Sequence, residues 1–222
     1  MKAAVISNGD ITSLEYFRPV FSKYDMLISA DGASNKLHQI DIVPDYILGD
    51  LDSIDTNVVE YFKDKSVEFI KFNPEKDFSD THICVDFLIE KGYSEIDLYG
   101  AFGGRWDHTI ANFGLMYYAY KKNIKLSLID RYDNAKIYGE GSYISKKKAN
   151  QCFSIFAVFE DAIVSLEGVK YPLKEYPLTR GESIGLSNEY IEDCKVSIKK
   201  GSAIKVDLLA ESSYYLLESD KT

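Results

Sequence analysis

The chain has 222 residues, 27% of them charged and 45% hydrophobic, with a formal net charge of −9. That length holds one large domain or two modest ones with a real core, and the balance is that of an ordinary soluble globular protein. The excess of acid disfavours binding to a nucleic-acid backbone or an anionic membrane, and an anionic substrate would need a screening cation. In chain order, the opening MKAAVISNGD has an apolar stretch too short for a secretory signal that breaks into Asn-Gly-Asp. It is expected to be a first strand rather than a leader. No apolar run approaches the length of a membrane span. Cys84, Cys152 and Cys194 lie far apart without metal-ligand spacing, which predicts free thiols and a cytoplasmic protein.

Short apolar runs at residues 2–7, 26–30, 46–49, 67–72, 95–99 and 125–130 predict strands. Between them, residues 14–24, 35–40, 56–63, 81–91 and 108–121 carry apolar residues at helical spacing. Strand and helix in alternation predict a parallel sheet covered by helices, an α/β domain over residues 1–132. Ligands of such sheets sit beyond the carboxyl ends of the strands. From about Asp130 the helical patterns stop. CFSIFAVF, AIVSLEGV, SIGLSNEY, CKVSIKKG, AIKVDLL and SYYLLE read as strands of an all-β sandwich over residues 133–222.

The charged clusters fall at the predicted carboxyl edge. GDLDS brings Asp50 and Asp52 there, and in extended backbone residues two apart face one side. KDFSD adds Asp77 and Asp80 at a helix start, and GAFGGRWDH adds Asp107. Carboxylates gathered so closely repel, and oxygen-only ligands select Mg²⁺ or a similarly hard cation. Singly, each aspartate is equally explained as a cap or turn residue. Together, with a basic residue among them, they point to a site. Gly103, Gly104 and Arg105 can line an anion with amide and guanidinium donors, though the loop is neither a Walker A sequence nor a dinucleotide fingerprint. His108 contacts a phosphate, orients Asp107 or merely caps the helix. Trp106, His38 and His82 are expected to be structural. Phosphates, a cation and an acidic chain make a consistent set, that of a Mg-nucleotide enzyme.

ADGASNKL, PDYILGDLDSI, EKDFSDTHICVDF, GAFGGRWDHTIANF and SIGLSNEY follow one another over about residues 28–200. In this order they resemble the motifs of bacterial thiamine pyrophosphokinases (thiamine diphosphokinases). The resemblance implies an N-terminal α/β domain, a C-terminal β-sandwich and a homodimer with active sites at the subunit interface. It implies transfer of a diphosphoryl group from ATP to the thiamine hydroxyl, with Mg²⁺ as cofactor and AMP as the other product. Carried over by motif, Asp50, Asp52, Asp80 and Asp107 would bind the metal and, with Arg105, form the catalytic set. Asp31, Gly32, Asp77, Gly103, Gly104, Arg105 and His108 would lie on the ATP side. Ser79, where threonine is usual, keeps the hydroxyl and is assigned with Ser183, Leu186, Ser187 and Asn188 to the thiamine side. Phe102 departs from the family's small or hydroxylated residue. The stacking tryptophan of eukaryotic members is absent, and Tyr190 is the substitute on offer. Either Asp80 or Asp77 would accept the hydroxyl proton. Two rival readings stay open, a related diphosphokinase with another alcohol acceptor such as a pterin, and a nucleotide-binding regulatory module without turnover.

Overall fold

Residues 3–6 of the first strand, β1 (Lys2–Ile6), are fully buried, as a strand covered on both faces must be. The computed structural model describes residues 1–9, 14–72, 78–103, 105–147 and 152–208. The chain divides into two units, Met1–Asp130 and Arg131–Thr222.

In the first unit β1 pairs in parallel with β2 (Met26–Ala30) on one side and β5 (Glu95–Tyr99) on the other. The parallel sheet continues from β2 to β3 (Tyr46–Gly49) and β4 (Glu68–Lys71), and from β5 to β6 (Lys125–Ile129). The order β4-β3-β2-β1-β5-β6 grows one way from β1 and then resumes on its other side. Between β1 and β5 lies the switch point where such sheets bind ligands.

Helices α1 (Leu14–Phe21), α2 (Ala33–Gln39), α3 (Thr56–Asp64), α4 (Asp80–Glu90) and α5 (Trp106–Lys121) connect the strands. The helical period shows in what they bury: Thr81, Cys84, Val85 and Leu88 in α4, and Asn112, Leu115, Met116 and Ala119 in α5. Ile6, Leu37, Ile47, Phe62 and Tyr99 meet in a core that fixes β1, α2, β3, α3 and β5 together. α2 and α5 each begin two residues before the apolar pattern suggests. No described helix is long and apolar enough to cross a membrane.

The second unit is antiparallel. β7 (Asp133–Tyr138) pairs with β13 (Ala203–Leu208), and β13 with β9 (Cys152–Phe156). β12 (Asn188–Lys200) pairs first with β9, then with β8 (Gly141–Ser145) and β10 (Ala162–Val169). β11 (Leu173–Leu178) completes the set on β10. Phe153, Ile155, Val164, Leu166, Val196 and Ile198 share one buried cluster.

SIGLSNEY departs from the expected strand. Residues 183–187 are turn and loop, and the strand starts only at Asn188. The Ile155 N–H donates to the Gly185 carbonyl at 2.9 Å, a Cβ on Gly185 would meet the Ile155 oxygen at 2.1 Å, and Ser187 has φ 54°. Such contacts and dihedrals bend the backbone out of the β region. CKVSIKKG forms one strand with the residues before it, and SYYLLE lies outside the described residues.

Candidate active site

Beyond the carboxyl ends of β1, β2 and β5 a cleft of about 750 Å³ opens. Its walls are the loop after β1 (Ser7, Asn8, Gly9), the turn after β2 (Asp31, Gly32), the start of α4 and the loop from Gly100 to Gly103. Backbone bonds draw the first and last of these together: Ser7 N–H donates to Tyr99 O at 2.8 Å and Gly9 N–H to Gly100 O at 3.2 Å. A Cβ on Gly9 would sit 2.1 Å from the Gly100 oxygen and 2.4 Å from that of Phe102, so only glycine fits. The Asn112 amide, buried on α5, donates to Ala101 O at 2.8 Å and ties the glycine loop to its helix. Ser7 and Thr81 hydroxyls, 3.0 Å apart, tie β1 to α4. The Lys36 ammonium donates to the carbonyls of Asn8 (3.1 Å) and Gly9 (2.5 Å) from α2.

Three carboxylates converge. Asp31, Asp50 and Asp52 offer oxygens that all lie within 4.8 Å of one another. Asp50 and Asp52 do not converge by strand alternation. β3 has ended at Gly49, Leu51 takes φ 66°, and Asp52 N–H donates back to Asp50 Oδ1 at 3.2 Å, so a tight turn aims the pair. Asp31, also left-handed at φ 41°, approaches so closely that a Cβ on Gly49 would lie 2.7 Å from its own. Strained residues gathered in one place are characteristic of functional sites. Asp31 Oδ1 is buried without a hydrogen-bond partner among the described residues. At that spacing two carboxylates repel by about 3–4 kcal/mol at an effective dielectric of about 20. Burial, reinforced by Asp50 and Asp52, pushes the Asp31 carboxyl above the usual carboxylate range despite bonds from Ser53 and the Gly32 amide. Asp80 is pushed the same way by burial, then by Asp31 and Asp50. An orphaned buried oxygen among repelling carboxylates fits a hard divalent cation.

Asp80 is the first residue of α4, and the Ser79 hydroxyl before it caps the helix by accepting from His82 N–H at 3.3 Å. Both line the cleft. Arg105, His108 and Gly103 line the same cleft. The Arg105 guanidinium is bidentate on Asp107 at 3.2 and 2.5 Å, and this bond holds the Asp107 carboxyl down to about 2. Asp107 is thus placed on Arg105 rather than among the three converging carboxylates. Gly104 and Asp77 lie outside the described residues. Trp106, expected to be structural in the core, is 78% exposed at the first residue of α5, and Asp107 and His108 after it are exposed as well. His82 is structural as expected, between the rings of Phe78 and Tyr118 at 4.4 and 4.6 Å.

In the second unit, Ser183 and Leu186 belong to one turn, closed by Leu186 N–H on the Ser183 carbonyl at 3.0 Å, and Leu186 is exposed. Ser187 N–H donates to Ser154 Oγ at 3.0 Å. The Asn188 side chain is buried and clamps Tyr171, accepting from its N–H at 3.1 Å and donating to its carbonyl at 2.8 Å. Tyr190 is buried with its hydroxyl donated to Asp207 at 2.6 Å, which withdraws it as a stacking platform.

Sequence reasoning missed Asn8, Gly9 and Lys36 in the cleft, and Asp31 as a member of the acidic cluster. The signal for the first two was SNGD directly after a central strand, a turn at the switch point.

Residues 17–128 match the thiamin pyrophosphokinase catalytic-domain family, and residues 142–204 match the thiamin pyrophosphokinase vitamin B1 binding domain. The thiamine pyrophosphokinase of Bacillus subtilis (strain 168) is 31% identical over 171 residues, 76% of this chain and 80% of that protein. Thiamin pyrophosphokinase 1 of Caenorhabditis elegans is 24% identical over 226 residues, 96% of this chain and 90% of that one. The crystal structure of the Bacillus subtilis thiamine pyrophosphokinase superimposes with a TM-score of 0.86 at 28% identity, covering 94% of this chain and 99% of its own. That of the Geobacillus thermodenitrificans protein gives 0.82 at 25% identity, with 96% and 99% covered. With matches to both halves in one chain, on a fold shared nearly end to end, the protein belongs to the thiamine pyrophosphokinase family.

Proposed function

We propose that this chain is a thiamine diphosphokinase, transferring the terminal diphosphoryl group of ATP to the hydroxyl of thiamine and releasing AMP. The observation that carries the reading is the Asp31–Asp50–Asp52 cluster with its orphaned buried oxygen, in the N-terminal unit that also holds the glycine-lined cleft. In the reaction the thiamine oxygen attacks the β-phosphorus, the bond from that phosphorus to the oxygen bridging to the α-phosphate breaks, and the hydroxyl proton leaves to a base. Such transfers are catalysed by positioning and by charge neutralisation.

Asp31, Asp50 and Asp52, with Asp80 beside them, are the residues that would hold Mg²⁺. When bound, that ion supplies neutralisation of the triphosphate charge. Arg105 turns from Asp107 to the phosphates, and Asp107 keeps its guanidinium aimed until they arrive. Gly103, with Gly104, brings backbone amides close to the anion, and Gly32 and His108 complete the ATP side. Asp80 receives the hydroxyl proton, a role supported by its place in the cleft wall at the start of α4. Asp77 is the other acceptor on that stretch.

Ser79 and the segment carrying Ser183, Leu186, Ser187 and Asn188 take thiamine. The two strand groups joined by β12 are the layers of a thiamine-binding β-sandwich over residues 133–222, following an ATP-binding domain over 1–132. Thiamine is a cation, and the net charge of −9 favours its approach. We assign the enzyme to the cytoplasm as a homodimer with active sites at the subunit interface.

The test is a product analysis of the purified protein with ATP, Mg²⁺ and thiamine. AMP and thiamine diphosphate in equal amounts, neither without the metal, is the expected result. ADP with thiamine monophosphate would overturn the diphosphoryl step, and the absence of any thiamine ester would overturn the acceptor.

A further inference from the structure

The C-terminal unit buries a lysine completely. The Lys205 side chain is 0% exposed, on β13, and its ammonium is bonded to the Asp207 carboxylate. It also donates to the Tyr190 hydroxyl at 2.8 Å, and that hydroxyl donates to Asp207 Oδ1 at 2.6 Å, closing a three-membered network. The ammonium lies 4.5 Å from the ring centroid of Phe153 and 5.4 Å from that of Tyr190, and the two rings are 4.9 Å apart. Taking an ion pair out of water costs several kcal/mol per ion, and packed apolar residues in its place are often as stable or more so. Stability therefore gives no reason for this lysine. What an ammonium with two fixed acceptors does impose is a single geometry, which apolar side chains do not.

That geometry sits directly behind the segment assigned to thiamine. On one edge of β9, Lys205 is the register partner of Ile155 and Asp207 that of Phe153. On its other edge, β9 grips the segment: Ile155 N–H donates to Gly185 O at 2.9 Å, Ser154 Oγ accepts from Ser187 N–H at 3.0 Å, and Phe153 partners Asn188. Tyr190 ties the network to β12 two residues after Asn188. Three consecutive residues of β9 thus connect the network to the turn. We propose that Lys205, Tyr190 and Asp207 are positioning residues that fix the shape of residues 183–188, so that Lys205 sets the affinity for thiamine without touching it. This rests on the assignment of that segment to the acceptor.

The experiment is steady-state kinetics with ATP and thiamine varied separately, alongside thermal melts. The variants are Lys205→Met and Tyr190→Phe, with Leu186→Ala to test the acceptor assignment. Lys205→Met is expected to raise the thiamine KM about tenfold and to leave the ATP KM within about twofold, with a lowered Tm because Asp207 is left without its counter-ion. Should that variant not fold, Tyr190→Phe keeps the ring, loses one hydroxyl and is expected to raise the thiamine KM about threefold. A raised thiamine KM in Leu186→Ala with normal values in the folded network variants would overturn the network while leaving the acceptor assignment standing. ATP and thiamine KM rising together in step with a falling Tm would overturn it too, reducing the network to structure. A normal thiamine KM in Leu186→Ala would remove the acceptor assignment and the proposal with it.

Discussion

In the N-terminal unit the carboxylates of Asp31, Asp50 and Asp52 crowd within 4.8 Å with no ion pair among the described residues, whereas in the C-terminal unit the fully buried Lys205 is neutralised by the partly buried Asp207. Both arrangements cost hydration, and only the second is compensated from within the chain. The difference separates two uses of charge. Charge left unbalanced marks a place where a ligand supplies the balance, and charge balanced internally marks a place where shape is being held. The acidic cluster is thus destabilising until filled, and its removal should harm function and spare the fold.

Asp50→Asn breaks the comparison most sharply. It is expected to lower kcat/KM about 1,000-fold or more while leaving the Tm unchanged or raised, because one repelling charge is gone. A melt that collapses together with activity would return Asp50 to structure.

Gly9→Ala probes the close approach that lets the cleft exist. Its new Cβ would lie 2.1 Å from the Gly100 carbonyl, where the neighbour is backbone. A loss of about 1–3 kcal/mol in chemical denaturation is expected, the usual range for overpacking. Wild-type stability would show that the β1 and β5 loops part freely.

The smallest effect belongs to Arg105 and Asp107, a pair that is balanced but exposed. Arg105 depresses the Asp107 carboxyl to about 2, so the native state holds this proton less tightly than the unfolded chain does. Any stability from the pair is present above the ordinary carboxylate range and disappears as pH falls toward 2. Solvent screens it, so Asp107→Asn should move the Tm at neutral pH by only about 1 °C or less, and less still in high salt. A larger, salt-independent drop would mean that the pair holds the fold.

The α/β unit was legible because its signals are periodic. Buried parallel strands read as continuous apolar runs, and α4 and α5 repeat their apolar residues at helical spacing. The carboxyl-edge position of the site followed from that alternation alone. The C-terminal unit was harder. β7, β8 and β11 went unforeseen, since DNAKIY, GSYIS and LKEYPL are short and half polar, and Pro177 in β11 argues against a strand except where, as here, it pairs on one side only. At the site, residue types and loops were readable and backbone detail was not. A left-handed Leu51 cannot be seen in GDLDS, so the carboxylates met through a turn where alternation suggested a strand. Asp31 read as a nucleotide turn because its convergence on Asp50 and Asp52 depends on β2 and β3 being neighbours. Lys36 and Gly9 reach each other across 27 residues, a contact that periodicity does not encode. Trp106 misled because hydrophobic character alone cannot tell a core position from an exposed first helical residue.

The most direct measurement is a calorimetric titration of the metal-free protein with Mn²⁺, a hard divalent ion that stands in for Mg²⁺, repeated on Asp31→Asn. If the unbalanced carboxylates are a cation site, the wild-type protein binds the ion saturably and Asp31→Asn weakens that binding at least about tenfold while melting no lower. Equal binding by both proteins, or none by either, would contradict the reading of the cluster on which the proposed reaction rests.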